Sequence, residues 1–195
     1  FLLQSDYDLF KKDYHNLDDY YKTENLSFYN STVDTIYKRI EEAEKYSMEV
    51  LSKPIDFNKK ENFSIDYKTS KYAKDKTEAK DLWRKYLKYN VMLEIISLQD
   101  ELKGDKKDSL AKKAPKDPLA DVKKKIQKDT PFPEVEKIAR EETKDLISDY
   151  FRRIKQTKRE NYFSIYMNAI TEQYDPHTTY FSPTSKEDFE FEMSG

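Results

Sequence analysis

Side chains able to do chemistry are sparse and poorly clustered in this chain of 195 residues. His177, close after Asp175, is one of 2 histidines and could act as a general base or a metal ligand. Zinc, however, is held by three or four nitrogen, sulfur or oxygen donors gathered at one point, and one histidine beside one aspartate falls short of that. A hydrogen-bonding role in the turn made by Pro176 suits His177 better, and His15 lies too far along the chain to be paired with it. Glu41, Glu42 and Glu44, and separately Glu141 and Glu142, could be posed as acid–base carboxylates. They fall within a helical turn of Lys38, Lys45, Lys137 and Lys144, which reads as an outward, solvated face whose ion pairs contribute only ~0.3–0.5 kcal/mol each. Serine and lysine abound, yet an activated serine needs a strained turn and N–H donors aimed at one point. No catalytic residue, metal site or cofactor site is assigned.

The elements that would have to position such groups are dictated by glycine scarcity. Gly104 and Gly195 are the only 2 glycines, against a typical usage near 7%. Hairpins, bulges and phosphate-cradling loops lean on glycine because it reaches positive φ without a Cβ clash. A β-sandwich, a nucleotide-binding βαβ fold and a P-loop enzyme are all disfavoured, and an all-α fold is expected. Hydrophobic residues make up only 36%, but 16 Tyr and 11 Phe supply large side chains that disordered chains lack. Charged residues nearly balance at a net charge of -2, which suits a solvated surface rather than a nucleic-acid partner. Without cysteine there are no disulfides and no thiolate chemistry. No apolar run approaches the ~20 residues of a membrane span.

Hydrophobic periodicity predicts an irregular bundle of about five to seven helices with long connecting arms. Tyr7, Phe10, Tyr14, Leu17 and Tyr21 form a first helical stripe capped by Ser5. Val33, Ile36, Tyr37, Ile40 and Ala43 continue into Val50 and Leu51 on a second helix closed by Lys53-Pro54. Residues 53–76, with Phe57, Phe63, Ile65, Tyr67 and Tyr72, read as an irregular arm whose aromatics dock on the helices. A third helix from about Lys76 to Leu102 bears two apolar stripes, Leu82, Tyr86, Tyr89, Leu93, Ile96 and Trp83, Leu87, Val91, Ile95, Leu98, Leu102, and should be central. Residues 103–133 hold ten lysines, five aspartates and four prolines and are expected to be a mobile, positively charged excursion. Val135, Ile138, Ala139, Leu146, Ile147, Tyr150, Phe151 and Ile154 mark a fourth helix. Phe163, Tyr166, Met167, Ile170 and Tyr174 mark a fifth, expected to lie antiparallel to the fourth across a short connector.

The last stretch, DPHTTYFSPTSKEDFEFEMSG, carries the most information. Asp175-Pro176 stops a helix, and Ser182-Pro183 restarts one with Ser182 as N-cap and Pro183 at the first helical position. Asp175, Pro176, His177, Thr178, Tyr180, Phe181, Ser182, Pro183, Met193 and Ser194 resemble the junction in tail-specific (carboxyl-terminal processing) serine peptidases between an N-terminal helical domain and a PDZ domain. Further similar patches are Phe1 to Asp6 with Phe10, Lys53 to Phe57, Asp81 to Lys85, and Asn168-Ala169-Ile170. Residues 102–132 depart from the family pattern.

The resemblance implies an N-terminal helical domain over residues 1–182 and a connector over residues 183–195 leading towards a PDZ domain absent from this chain. It implies a parent endopeptidase with a Ser/Lys dyad beyond the PDZ, a periplasmic location, and a signal segment upstream. The implied partners are the parent's own PDZ and protease domains, protein substrates with free C-termini, and an adaptor protein. The site it marks is structural: Asp175, Pro176, His177, Thr178, Tyr180, Phe181, Ser182 and Pro183, with Tyr180 and Phe181 suited to burial against the fourth and fifth helices. The competing expectations are a free-standing helical adaptor that docks proteins through aromatic grooves and, more weakly, a stand-alone hydrolase.

Overall fold

Three helices whose small and branched residues recur every three or four positions build the core. In the computed structural model, which describes residues 1–64, 71–103 and 129–194, they are α3 (Ser27–Leu51), α4 (Lys76–Lys103) and α5 (Phe132–Lys155). They follow α1 (Gln4–Lys11) and α2 (Leu17–Lys22), and are followed by α6 (Arg159–Tyr174) and α7 (Pro183–Ser194). The all-α expectation holds: among the described residues the sole β feature is an isolated bridge between Leu3 and Ala73. α3, α4 and α5 pack pairwise around Ile40, Ala43 and Leu51, then Leu87, Val91, Ile95 and Leu98, then Val135, Ala139, Ile147 and Phe151. Phe151 and Leu87 are fully buried, each contributing roughly 1.5–3 kcal/mol by burial.

The arm docks as its aromatics suggest. Phe57 meets Phe132 edge-on at 6.0 Å, Phe63 lies 6.1 Å from both Tyr86 and Tyr89, and Tyr72 stacks on Tyr7 at 5.4 Å. Polar bonds fix it as well. The Glu136 carboxylate accepts the Ile55 N–H at 3.1 Å, and Arg140, bound to Glu136, donates to the Leu51 carbonyl at 2.9 Å. Glu61 takes a two-pronged bond from Arg84 at 2.7 and 2.5 Å. Ile65 and Tyr67, and residues 104–128 of the lysine-rich stretch, lie outside the described residues.

Several expectations are corrected. The first stripe is not one helix: it breaks into α1, a 3-10 turn at Tyr14–Asn16 and α2, and leaves Tyr7, Tyr14 and Tyr21 exposed. Its cap is Asp6, whose carboxylate accepts the Leu3 N–H at 2.9 Å, rather than Ser5. α2 ends in a left-handed residue, Glu24 at φ 54°, with the Asn25 N–H reaching the Tyr20 carbonyl at 2.8 Å. A glycine usually takes that position, and this chain has none to spend there.

α4 is central through one stripe only. Leu87, Val91, Ile95 and Leu98 are buried and Phe63 shields Tyr86 and Tyr89, while Leu82, Leu93 and Ile96 stay exposed. Leu146 of α5 also faces outward. Conversely, Glu142 is buried and Glu42 is half-buried between Arg39 at 2.6 Å and Lys76 at 2.7 Å, so neither belongs to a purely solvated face. Finally, α6 does not pair chiefly with α5. Its contacts run to α3, because its tyrosines and Phe163 match the aromatic end of α3.

Candidate interdomain connector

α6 is held by ring edges and polar caps rather than by a buried stripe. Tyr29 of α3 meets Phe163 edge-on at 5.4 Å and Tyr166 at 5.6 Å, and Tyr37 meets Tyr162 edge-on at 5.6 Å. The two α3 tyrosines also bind the entry of α6: Tyr29 donates to the Arg159 carbonyl at 2.7 Å and Tyr37 to the Thr157 carbonyl at 3.0 Å. Arg159 pairs with Asp34. Burial in this cluster pushes the Tyr162 and Tyr166 phenols up.

At its far end α6 stops where proline forces extended backbone. Asp175 has φ -151° and ψ 114°, as a residue preceding proline should. Its carboxylate then organises the turn, accepting the His177 N–H at 2.9 Å and the Thr178 hydroxyl at 2.8 Å, while its carbonyl accepts the Thr178 N–H at 3.0 Å. Those two bonds, the His177 N–H first, hold the Asp175 carboxyl below its ordinary range. The chain is thereby turned back along α6.

The returning segment is fastened by one side-chain amide. Asn168 accepts the Tyr180 N–H at 2.6 Å and offers its own N–H to the Tyr180 carbonyl at 3.5 Å, taking the place of a neighbouring strand. Thr171 donates to the Thr178 carbonyl at 3.3 Å. The Tyr180 ring meets Phe163 edge-on at 5.7 Å, so a ring series Tyr180–Phe163–Tyr29 runs from connector to core helix. A backbone pair plus a ring contact makes this segment a docked element, with nothing of the Gly/Ser character of a free linker.

Of the residues marked by sequence, Asp175, Pro176, His177, Thr178 and Tyr180 come together in this turn. His177 contributes its backbone N–H and its ring is exposed; His15 lies edge-on to Tyr14 at 5.2 Å. Phe181 is a correction. It is 48% exposed and packs 5.5 Å from Phe189 of α7 rather than on the helices before it, and the docking is to α6 rather than to both preceding helices. The Ser182 carbonyl accepts the Lys186 N–H at 2.8 Å in the first turn of α7, where Phe191 and Met193 are exposed. Asn168, the residue that fastens the turn, carried no assigned role in the sequence, although it stands in one of the patches that resemble the peptidases.

Elsewhere, the hydroxyls of Ser31, Ser47, Ser52, Ser148 and Ser164 each donate to a carbonyl three or four residues back. Among the described residues no group of three or more His, Asp or Glu is placed to hold a metal ion, and no helix is long and apolar enough to cross a membrane.

Residues 1–184 match the family described as the tail specific protease N-terminal domain. The chain belongs to that family. It is also 29% identical over 188 residues to a tail-specific protease of Haemophilus influenzae, a match that takes in 96% of this chain and 22% of that relative. The matched region of this N-terminal domain runs through the whole docked turn and ends at the start of α7. The chain spans about a fifth of the length of the relative it matches.

Proposed function

We propose that this N-terminal domain is a non-catalytic scaffold of a periplasmic, serine-type tail-specific endopeptidase, and that it sets the orientation of a PDZ domain following α7. In this reading a substrate's free C-terminus is captured by the PDZ domain and cut by a Ser/Lys dyad beyond it, while the helical domain shapes the approach of substrates and of an adaptor protein. The observation that carries the reading is the fastening of the connector to α6 through Asn168 and Tyr180. A domain attached after α7 inherits its direction from a connector that is docked at one end, and loses it if the dock opens. Family membership supports the protease context, and the periplasmic setting and serine chemistry rest on the resemblance of the junction residues.

The test uses the full-length enzyme. Asn168→Ala and Tyr180→Ala should each slow cleavage of a folded substrate with a free C-terminus by several-fold, with labelling of the active serine by a small acylating reagent unchanged. Wild-type cleavage rates in both variants would reject the scaffold reading.

A further inference from the structure

Away from the connector, a concavity of about 540 Å³ lies between the arm and the outer side of α4. Phe57, Phe63, Tyr89 and Met92 form its apolar wall. Four lysines, Lys59, Lys60, Lys85 and Lys88, line it together with one carboxylate, Glu61. That carboxylate is already committed, to Arg84 at 2.7 and 2.5 Å and to Lys88 at 3.1 Å.

The lysines are not equivalent. Lys88 is fixed: it donates to the Lys59 carbonyl at 2.7 Å and its ammonium stands 5.9 Å over the Phe57 ring. Lys85 pairs with Asp81 at 2.9 Å, which also binds Arg84. Lys59 reaches Glu61 only at 3.7 Å with its side chain 62% exposed, and Lys60 is exposed. Five cations, Lys59, Lys60, Arg84, Lys85 and Lys88, thus face two carboxylates, Glu61 and Asp81, among the described residues, which leaves three positive charges in excess. An apolar wall beneath a cationic rim favours a ligand that is acidic and carries a large apolar side chain, since either property alone uses half of the surface.

We propose that this cavity docks an acidic protein segment bearing an aromatic side chain, the ring entering between Phe57, Phe63 and Tyr89 and the flanking carboxylates reaching Lys59, Lys60 and Lys85. The proposal does not rest on the scaffold reading of the connector. A short peptide of that chemistry is present in this chain itself, Lys186 to Ser194, reading KEDFEFEMS, and it serves as the probe.

The intact domain is titrated into the fluorescein-labelled KEDFEFEMS peptide and anisotropy is read at low and at high salt. Saturable binding is expected, weakened about tenfold by the Lys59→Glu, Lys60→Glu double variant and by replacing the peptide's glutamates with glutamine, and screened by salt. A Phe63→Ala variant should weaken it as well, and the melting temperature of each variant checks the fold. Equal binding to the double variant, to the glutamine peptide, to an oligoglutamate of the same charge or to a single-stranded oligonucleotide would each overturn the proposal. So would self-association of the domain that disappears in the double variant, which would make a second copy the occupant.

Discussion

α5 buries Val135, Ala139, Ile147 and Phe151 along one face, whereas α6, with 16 residues, buries none to the same degree. The first helix sits in a close-packed bundle where any lost volume leaves a cavity. The second leans on α3 through ring edges, two tyrosine hydroxyls and an ion pair, and the connector leans on α6 in turn. The bundle therefore rests chiefly on close packing, and the limb of α6 and connector depends on a few ring and polar contacts. Low-stability elements of this kind are the ones that move in proteins that transmit a signal.

The contrast predicts a ranked set of effects. Phe151 touches Trp83 at 5.6 Å and Tyr150 at 5.3 Å and is fully buried, so Phe151→Ala should cost about 3–5 kcal/mol in urea unfolding. Loss of less than ~1 kcal/mol there would place the core elsewhere.

Next comes the clamp that ties α1 to the bundle. Asp6 accepts two bonds from Arg39 at 2.8 and 2.7 Å, with both side chains about nine-tenths buried. Asp6→Ala should cost on the order of 3 kcal/mol, because Arg39 is left without one of its counter-charges in a buried site.

The same clamps fix the acid response. Arg39 bonding holds the Asp6 carboxyl below its ordinary range, and Arg84 bonding holds Glu61 down at about 2. Burial alone would raise Glu42, but its bonds to Lys76 and Arg39 outweigh it and the net shift is downward. Carboxyls depressed in the folded state stabilise it fully above their unfolded values near 4 and lose that contribution as pH falls towards the folded values. The urea midpoint should stay level above about pH 5 and drop between roughly pH 4.5 and 2. A midpoint rising over that acid range would contradict the ion pairs.

The smallest effects belong to the limb. Tyr180→Ala should lower stability by about 1–2 kcal/mol and Phe181→Ala by under ~1, since the Phe181 ring remains half in water. Equal losses at the two positions would mean that α7 is held as tightly as the turn.

Helix identity was largely readable because apolar period is a local property: α3, α4 and α5 form where their stripes place them, although Leu82, Leu93 and Ile96 of α4 and Leu146 of α5 stay exposed. Partners were less readable. The short link between α5 and α6 suggested an antiparallel pair, but Tyr29 and Tyr37 offered α6 both ring faces and hydroxyls on α3. Glu142 and Glu42 were misplaced because a glutamate near lysines looks the same in sequence on an outer face and at a helix contact. Asp175 and Pro176 announced the turn through backbone rules, whereas Asn168 pairs with a residue 12 positions away, a relation that no periodicity encodes.

The central claim is that the connector is docked, and that its dock opens independently of the bundle. Native-state hydrogen exchange of the Tyr180 amide, which is bound to Asn168 at 2.6 Å, tests it most directly. The amide should be protected in the wild type, and Asn168→Ala should abolish that protection while amides at Leu87 and Val91 are unchanged. An unprotected Tyr180 amide in the wild type, or one that exchanges only when Leu87 and Val91 do, would contradict the account.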